Sequence, residues 1–284
     1  MTTYFGSDGA MLHYDELNHG RAGGPPVVAL AGGAAMHPRY LGDLAGLGDA
    51  RRLILPHLRG VGRSPLPESA ETASFWRQAE DIEQLRVQLG LDRMVLLGHS
   101  AGTRLAISYA ARFPDRLAGL VLVTPPAGYL VDEPSDTPAL IDARRGDPVF
   151  DTAVAAWATG PGSHDDAGFN AWYRQVAPLG YAAWGELEQV HAATALYSFA
   201  ANRAYFSVEP PADLARRLGE VAAPVLVLAG AQDCSAGLAP VRALSRLFPS
   251  AEFTVIERCG HHPWVEQPAA FRAAVDDFLR PLTF

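Results

Sequence analysis

The stretch Met94-Val95-Leu96-Leu97-Gly98-His99-Ser100-Ala101-Gly102 places an apolar run of strand length directly before a turn of small residues that carries a serine. The residues that follow, 101–113, have helical spacing. A strand that passes straight into a helix through Gly-x-Ser-x-Gly needs a tight turn, and Gly98 and Gly102 give the backbone room to make it. Such a turn holds the serine hydroxyl clear of the chain at the carboxyl end of a strand. The same five letters in an arbitrary loop would carry no meaning; the strand and the helix supply it.

Working outward, further strand-length apolar runs lie at 27–31, 53–56, 120–124, 225–230 and 253–257. Helix-period segments fall between them. Phe75, Ala79, Ile82, Leu85 and Leu89 recur every three or four residues behind Ser74, a suitable N-cap, and predict a helix over 74–89. Proline near the start of 268–279 predicts a closing helix. This alternation predicts an α/β fold with a mostly parallel central sheet and helices on both faces. Residues 11–17 are expected to add antiparallel strands at one edge.

Strand runs vanish between about 127 and 212, and Trp157, Trp172, Tyr173, Trp184, Tyr197, Tyr205 and Phe206 concentrate there. Pro-Pro pairs at 125–126 and 210–211 mark both flanks as exits from regular structure. The expected organisation is a core at 1–126, an inserted helical cap or lid at 127–212, and the rest of the core at 213–284. Some of the cap rings are expected to line a substrate cavity.

The formal charge is −8, with no run of Lys or Arg, which argues against nucleic acid or an anionic membrane as partner and for a small-molecule substrate. The opening residues lack the basic start and apolar run of a secretory signal. No stretch reaches the roughly 18 apolar residues of a spanning helix, so a soluble cytoplasmic protein is expected. Oligomeric state leaves no trace in the sequence. Cys234 and Cys259 lack metal-site spacing and are expected as free buried thiols, with a loop-tying disulfide as the alternative.

A serine hydroxyl is a poor nucleophile near neutral pH and needs a base, which in turn needs a group to fix its tautomer. On an elbow of this kind the partners follow in the order acid, then histidine. Asp233 comes just past the run 225–230, and His261 and His262 follow the next run. Asp165 and Asp166 are alternative acids, but neither follows a sheet strand. The oxyanion of an acyl-transfer intermediate needs preorganised donors. The N–H of Ala101 is one candidate, and Gly33, in the turn Ala31-Gly32-Gly33-Ala34-Ala35, supplies the other. No dinucleotide or Walker motif accompanies these glycines, and the chemistry calls for no cofactor or metal.

At this point the sequence resembles the prolyl-iminopeptidase-like branch of the α/β-hydrolases. That family carries His-Gly-Gly-Pro-Gly, Asp-Gln-Arg-Gly-x-Gly-x-Ser, Gly-x-Ser-x-Gly and a late Gly-His. The second motif stands here as Pro56-His57-Leu58-Arg59-Gly60-Val61-Gly62-Arg63-Ser64, and the last as Gly260-His261-His262-Pro263. The resemblance implies that His261, directly after Gly260, is the base and His262 a neighbour. It gives Arg59 a supporting role in organising loops beside the site, with Gly32, Gly98 and Gly102 as further supports.

The departures concern substrate. The first motif has lost its His and Pro, and the cap segment that in the family holds an amine-binding Glu reads Phe199-Ala200-Ala201-Asn202-Arg203-Ala204-Tyr205-Phe206. Replacing that carboxylate with the Asn202 amide, beside Arg203, removes the attraction for a cationic amine. The expectation is a serine hydrolase acting through Ser100, His261 and Asp233 on a small ester, lactone, thioester or amide, with His99, Trp184, Asn202, Tyr205 and His262 in the substrate pocket. Two alternatives stay open. One is an aminopeptidase using Glu186 or Glu188, and the other is a lyase, acyltransferase or cyclase on the same fold.

Overall fold

The computed structural model describes residues 2–18 and 26–282. Their strands form one sheet: β1 (Thr2–Phe5), β2 (Met11–Leu17), β3 (Val27–Leu30), β4 (Leu53–His57), β5 (Met94–His99), β6 (Leu117–Val123), β7 (Val225–Gly230) and β8 (Ala251–Ile256). The spatial order is β1-β2-β4-β3-β5-β6-β7-β8. β1 and β2 join antiparallel at one edge, as expected, and β4, β3, β5, β6, β7 and β8 run parallel.

The central strands are buried on both faces, and alternate residues serve opposite layers. Val28, Leu30, Leu96, Leu120 and Val227 pack on one side with Leu105 and Tyr109 of the helix Gly102–Arg112. Val27, Ala29, Val95, Leu97 and Leu228 pack on the other with Phe271, Val275 and Phe278 of the helix Pro268–Leu279. This double burial explains why the strands read as unbroken apolar runs. The chain winds from β3 to β4 on one side and returns to β5 on the other, so the sheet reverses direction between β3 and β5. Ligand crevices of open α/β sheets form at the carboxyl ends of strands at such a point, and both the Gly32-Gly33 turn and Ser100 stand there.

The expected helix over 74–89 begins later, at Gln78. Ser74 still accepts at Oγ from the Arg77 N–H at 3.2 Å, a capping contact, but it stands at an irregular turn preceding the helix. Arg59 is 1 % exposed and binds two carboxylates. Its guanidinium donates to Asp81 at 2.6 and 2.8 Å and to Asp8 at 2.8 Å twice. It therefore ties its loop to the β1–β2 turn and to the helix Gln78–Gln88. Arg59 does not itself line the cavity that Ser100 borders, and the loop it holds packs through Gly60 on Ala201 of the cap and through Gly62 near His37.

Between β6 and β7 the described residues contain helices at Thr137–Asp142, Pro148–Thr159, Asp166–Val176, Glu186–Ala192, Phe199–Tyr205 and Leu214–Leu218. Asp165 and Asp166 serve structure there: Asp165 caps a helix by accepting from Gly168 N at 2.8 Å, and Asp166 accepts from Phe199 N at 2.7 Å. Among the described residues, no helix is long and apolar enough to cross a membrane.

Candidate active site

Ser100 directly follows β5 with φ 51°, in the left-handed region that non-glycine residues rarely adopt. The strain is held from both sides. Ser100 N–H donates to Val123 O at 2.9 Å, and Ser100 O accepts from Thr103 N at 2.9 Å and from Thr103 Oγ1 at 2.6 Å. A Cβ at Gly102 would lie 2.5 Å from Ala31 O, and one at Gly98 would lie 2.9 Å from Gly102 O. The helix thus starts against the end of β3, which only a glycine permits.

Asp233 and His261 come from the loops after β7 and β8, at the same sheet edge as Ser100. His261 Nδ1 is 2.8 Å from Asp233 Oδ2. The other carboxylate oxygen accepts from Ser235 N at 2.8 Å and Ala236 N at 3.1 Å. Asp233 is 1 % exposed, so both oxygens are committed and the imidazole has one orientation available. Ser100, His261 and His262 all line one cavity of about 410 Å³.

Among the described residues, the N–H groups of Gly33 and Ala101 donate to no protein acceptor. The Gly32 N–H differs, because it donates to Tyr40 Oη at 2.7 Å. Tyr40 Oη in turn lies 2.6 Å from His99 Nδ1, and His99 Nε2 lies 2.9 Å from the carbonyl oxygen of His261. A carbonyl only accepts, so His99 Nε2 carries the proton. Burial, aided by the neighbouring His261 ring, holds His99 well below the usual histidine range, so the ring is neutral and its Nδ1 accepts from Tyr40. One directed chain therefore runs from the Gly32 backbone through Tyr40 and His99 to the His261 backbone. It joins the turn after β3 to the loop that carries the imidazole.

His99 borders the cavity, but both of its nitrogens are engaged. His262 also borders it; its Nδ1 lies 3.2 Å from Gly180 O, and its ring stacks on Tyr181 at 4.6 Å. Three cap residues expected in the pocket lie elsewhere. Trp184 packs on Tyr181 at 5.3 Å. Tyr205 is fully buried, and its hydroxyl donates to Ala101 O at 2.8 Å, bracing the elbow from behind. Asn202 Nδ2 donates to Gly33 O at 3.1 Å and so supports the turn after β3 rather than facing a substrate. The cap residues that do line the cavity include Trp157, Phe169, Trp172, Tyr173 and Tyr197, with Met36 from the core. Trp157, Trp172, Tyr173 and Tyr197 belong to the aromatic concentration evident in the sequence, but which of its rings turn inward depends on helix packing that no short motif encodes.

Cys234 and Cys259 are free and buried. Cys234 borders the cavity; Cys259 lies behind the His261 loop beside Glu266. Glu266 accepts from Gly260 N at 2.9 Å and from Ala182 N at 2.6 Å, which fastens the residue before His261 to the cap. Burial pushes its carboxyl up to about 7 from an ordinary 4.5. The folded state then binds this proton more tightly than the unfolded chain. The associated stability is present below about 4.5 and is lost as pH rises through about 7. Glu266→Gln removes this titration. Allowing for partial exposure, its stability relative to wild type is expected to improve between pH 5 and pH 8 by on the order of 2 kcal/mol, read from denaturant melts.

The fold and this edge of the sheet define the class: an α/β-hydrolase enzyme, with a serine on a strained elbow and an imidazole–carboxylate pair on the neighbouring loops. A sequence model of the alpha/beta hydrolase fold family matches residues 25–268, and the chain belongs to that family. It is 27% identical over 280 residues to a proline iminopeptidase of Heyndrickxia coagulans, covering 92% of each chain, which bears out the resemblance to the prolyl-iminopeptidase branch. It is 30% identical over 280 residues to a candidate carbamate hydrolase, RutD, of Caulobacter sp., covering 93% of this chain and 96% of the other. Among solved structures, a thermophilic esterase from Thermogutta terrifontis superposes with TM-score 0.72 at 25% identity, over 100% of this chain and 99% of the other.

Proposed function

We propose that this enzyme hydrolyses an uncharged ester, lactone, thioester or amide through an acyl-enzyme on Ser100, with residues 127–212 as its lid. The observation that carries the reading is the 2.8 Å His261 Nδ1–Asp233 Oδ2 contact beside a cavity shared with Ser100. Ser100 Oγ attacks the acyl carbon while its proton passes to His261 Nε2. The carbonyl π pair moves onto oxygen and is met by the N–H groups of Gly33 and Ala101. Collapse expels the leaving group, which takes the proton from Nε2. Water then releases the acyl group by the same two steps.

The character of the cavity supports an uncharged substrate. Among the described residues, none that lines it is Asp, Glu, Lys or Arg. A cationic amino terminus would lose its water there without gaining a counter-ion. Glu188, named above as an alternative amine ligand, instead caps its own helix by accepting from Gly185 N at 2.8 Å, and Asn202 is committed to Gly33. Purified enzyme is expected to hydrolyse aryl esters at least 100-fold faster, by kcat/KM, than proline-anilide. Equal rates would overturn the substrate assignment and favour the peptidase. Product formed in heavy-oxygen water without incorporating the label would favour lyase or transferase chemistry.

A further inference from the structure

Gly33 stands against a tyrosine of the cap. A Cβ built on it would lie 2.9 Å from both Cζ and Oη of Tyr197, and closer still to Cε1. The phenol therefore packs directly onto a residue that lines the same cavity as Ser100. We propose that the Tyr197 hydroxyl donates a further hydrogen bond, from the lid side, to the acyl oxygen that gains charge during attack by Ser100. The proposal rests on the reading of Ser100 as nucleophile.

Tyr197 is tied to the turn it overlies. Its backbone N–H donates to Asn170 Oδ1 at 2.9 Å, and its carbonyl accepts from Asn170 Nδ2 at 2.9 Å. It pairs antiparallel with Met36, and the adjacent Leu196 O accepts from His37 N at 2.8 Å. Residues 32–37 and residues 196–197 are thus joined through backbone bonds, which holds the phenol in fixed relation to Gly33. The ring is 7 % exposed and wedged between Phe169 at 5.2 Å and Tyr173 at 4.5 Å.

The Tyr197 and Tyr173 rings pack against each other with centroids 4.5 Å apart, and both residues line the cavity. The Tyr197 hydroxyl borders that cavity, where its proton can be donated to a substrate oxygen. Burial raises the Tyr197 phenol well above its ordinary range, so it stays a donor and no proton need leave the ring. A neutral donor gains strength as its acceptor becomes an oxyanion, so its effect appears in the transition state more than in substrate binding.

Tyr197→Phe keeps the ring and removes the hydroxyl. With an aryl ester, kcat is expected to fall about 100-fold, the scale of losing one oxyanion donor, while KM changes by less than about threefold. Affinity for an aryl trifluoromethyl ketone, which reaches the oxyanion state on Ser100, is expected to fall in parallel. Fluorotyrosine at position 197, which retains the hydroxyl, restores at least a third of wild-type kcat and serves as the decisive variant if the phenylalanine protein does not fold. A kcat for Tyr197→Phe within threefold of wild type would overturn the role, as would a loss confined to KM. If an organophosphonate labels wild-type Ser100 in either case, only Tyr197 is at fault; an unlabelled Ser100 would remove both this inference and the reading beneath it.

Discussion

Replacing Ser100 by alanine is expected to lower kcat on an aryl ester by about 10⁵-fold while leaving KM and the folded state nearly unchanged. The size follows from chemistry. The residual activity of such a variant is what oxyanion donors and substrate binding achieve on their own, since His261 and Asp233 then act on water without a nucleophile. Stability is expected to change little, because alanine at φ 51° meets nearly the same backbone strain as serine. Melting curves and turnover measured together separate a missing nucleophile from a misfolded elbow.

The second large effect is expected from Asp233→Asn, about 10⁴-fold in kcat. Asp233 Oδ1 accepts from the Ser235 and Ala236 N–H groups, and those donors fix which end of an asparagine amide takes that place. The oxygen stays with the backbone, and the NH₂ faces His261 Nδ1. The imidazole is then forced to accept at Nδ1 and carry its proton on Nε2, the atom that has to take the proton of Ser100. The loss is one of tautomer, so it appears in kcat and grows milder at high pH, where serine ionises without help. A variant within tenfold of wild type would mean that Asp233 does not govern the His261 tautomer.

The parts of the site legible in the sequence are those set by local backbone geometry. Gly98 and Gly102 are needed by the elbow itself. Asp233 follows β7, whose double burial makes it an unbroken apolar run, and His261 follows the partly exposed edge strand β8. Lateral order in the sheet then gathers these loop residues at one edge. The cap behaves differently. Trp184, Asn202 and Tyr205 read as pocket residues, yet their side chains turn to Tyr181, Gly33 O and Ala101 O. Tyr197 lies inside because of the Met36 bridge and the Asn170 clamp, contacts between residues 27 to 161 positions apart that leave no local periodicity. The chain linking Gly32, Tyr40, His99 and His261 is hidden for the same reason. His99 reads as a pocket residue, but its burial and two engaged nitrogens make it the strut between the turn after β3 and the loop that carries His261.

The most direct measurement is peptide mapping by mass spectrometry after exposure to an aryl organophosphonate. The predicted result is a single adduct on the peptide containing Gly98-His99-Ser100-Ala101-Gly102, localised to Ser100, formed in step with loss of esterase activity and absent from Ser100→Ala. Activity lost with the adduct on another residue, or esterase turnover that continues after Ser100 is fully modified, would contradict the assignment.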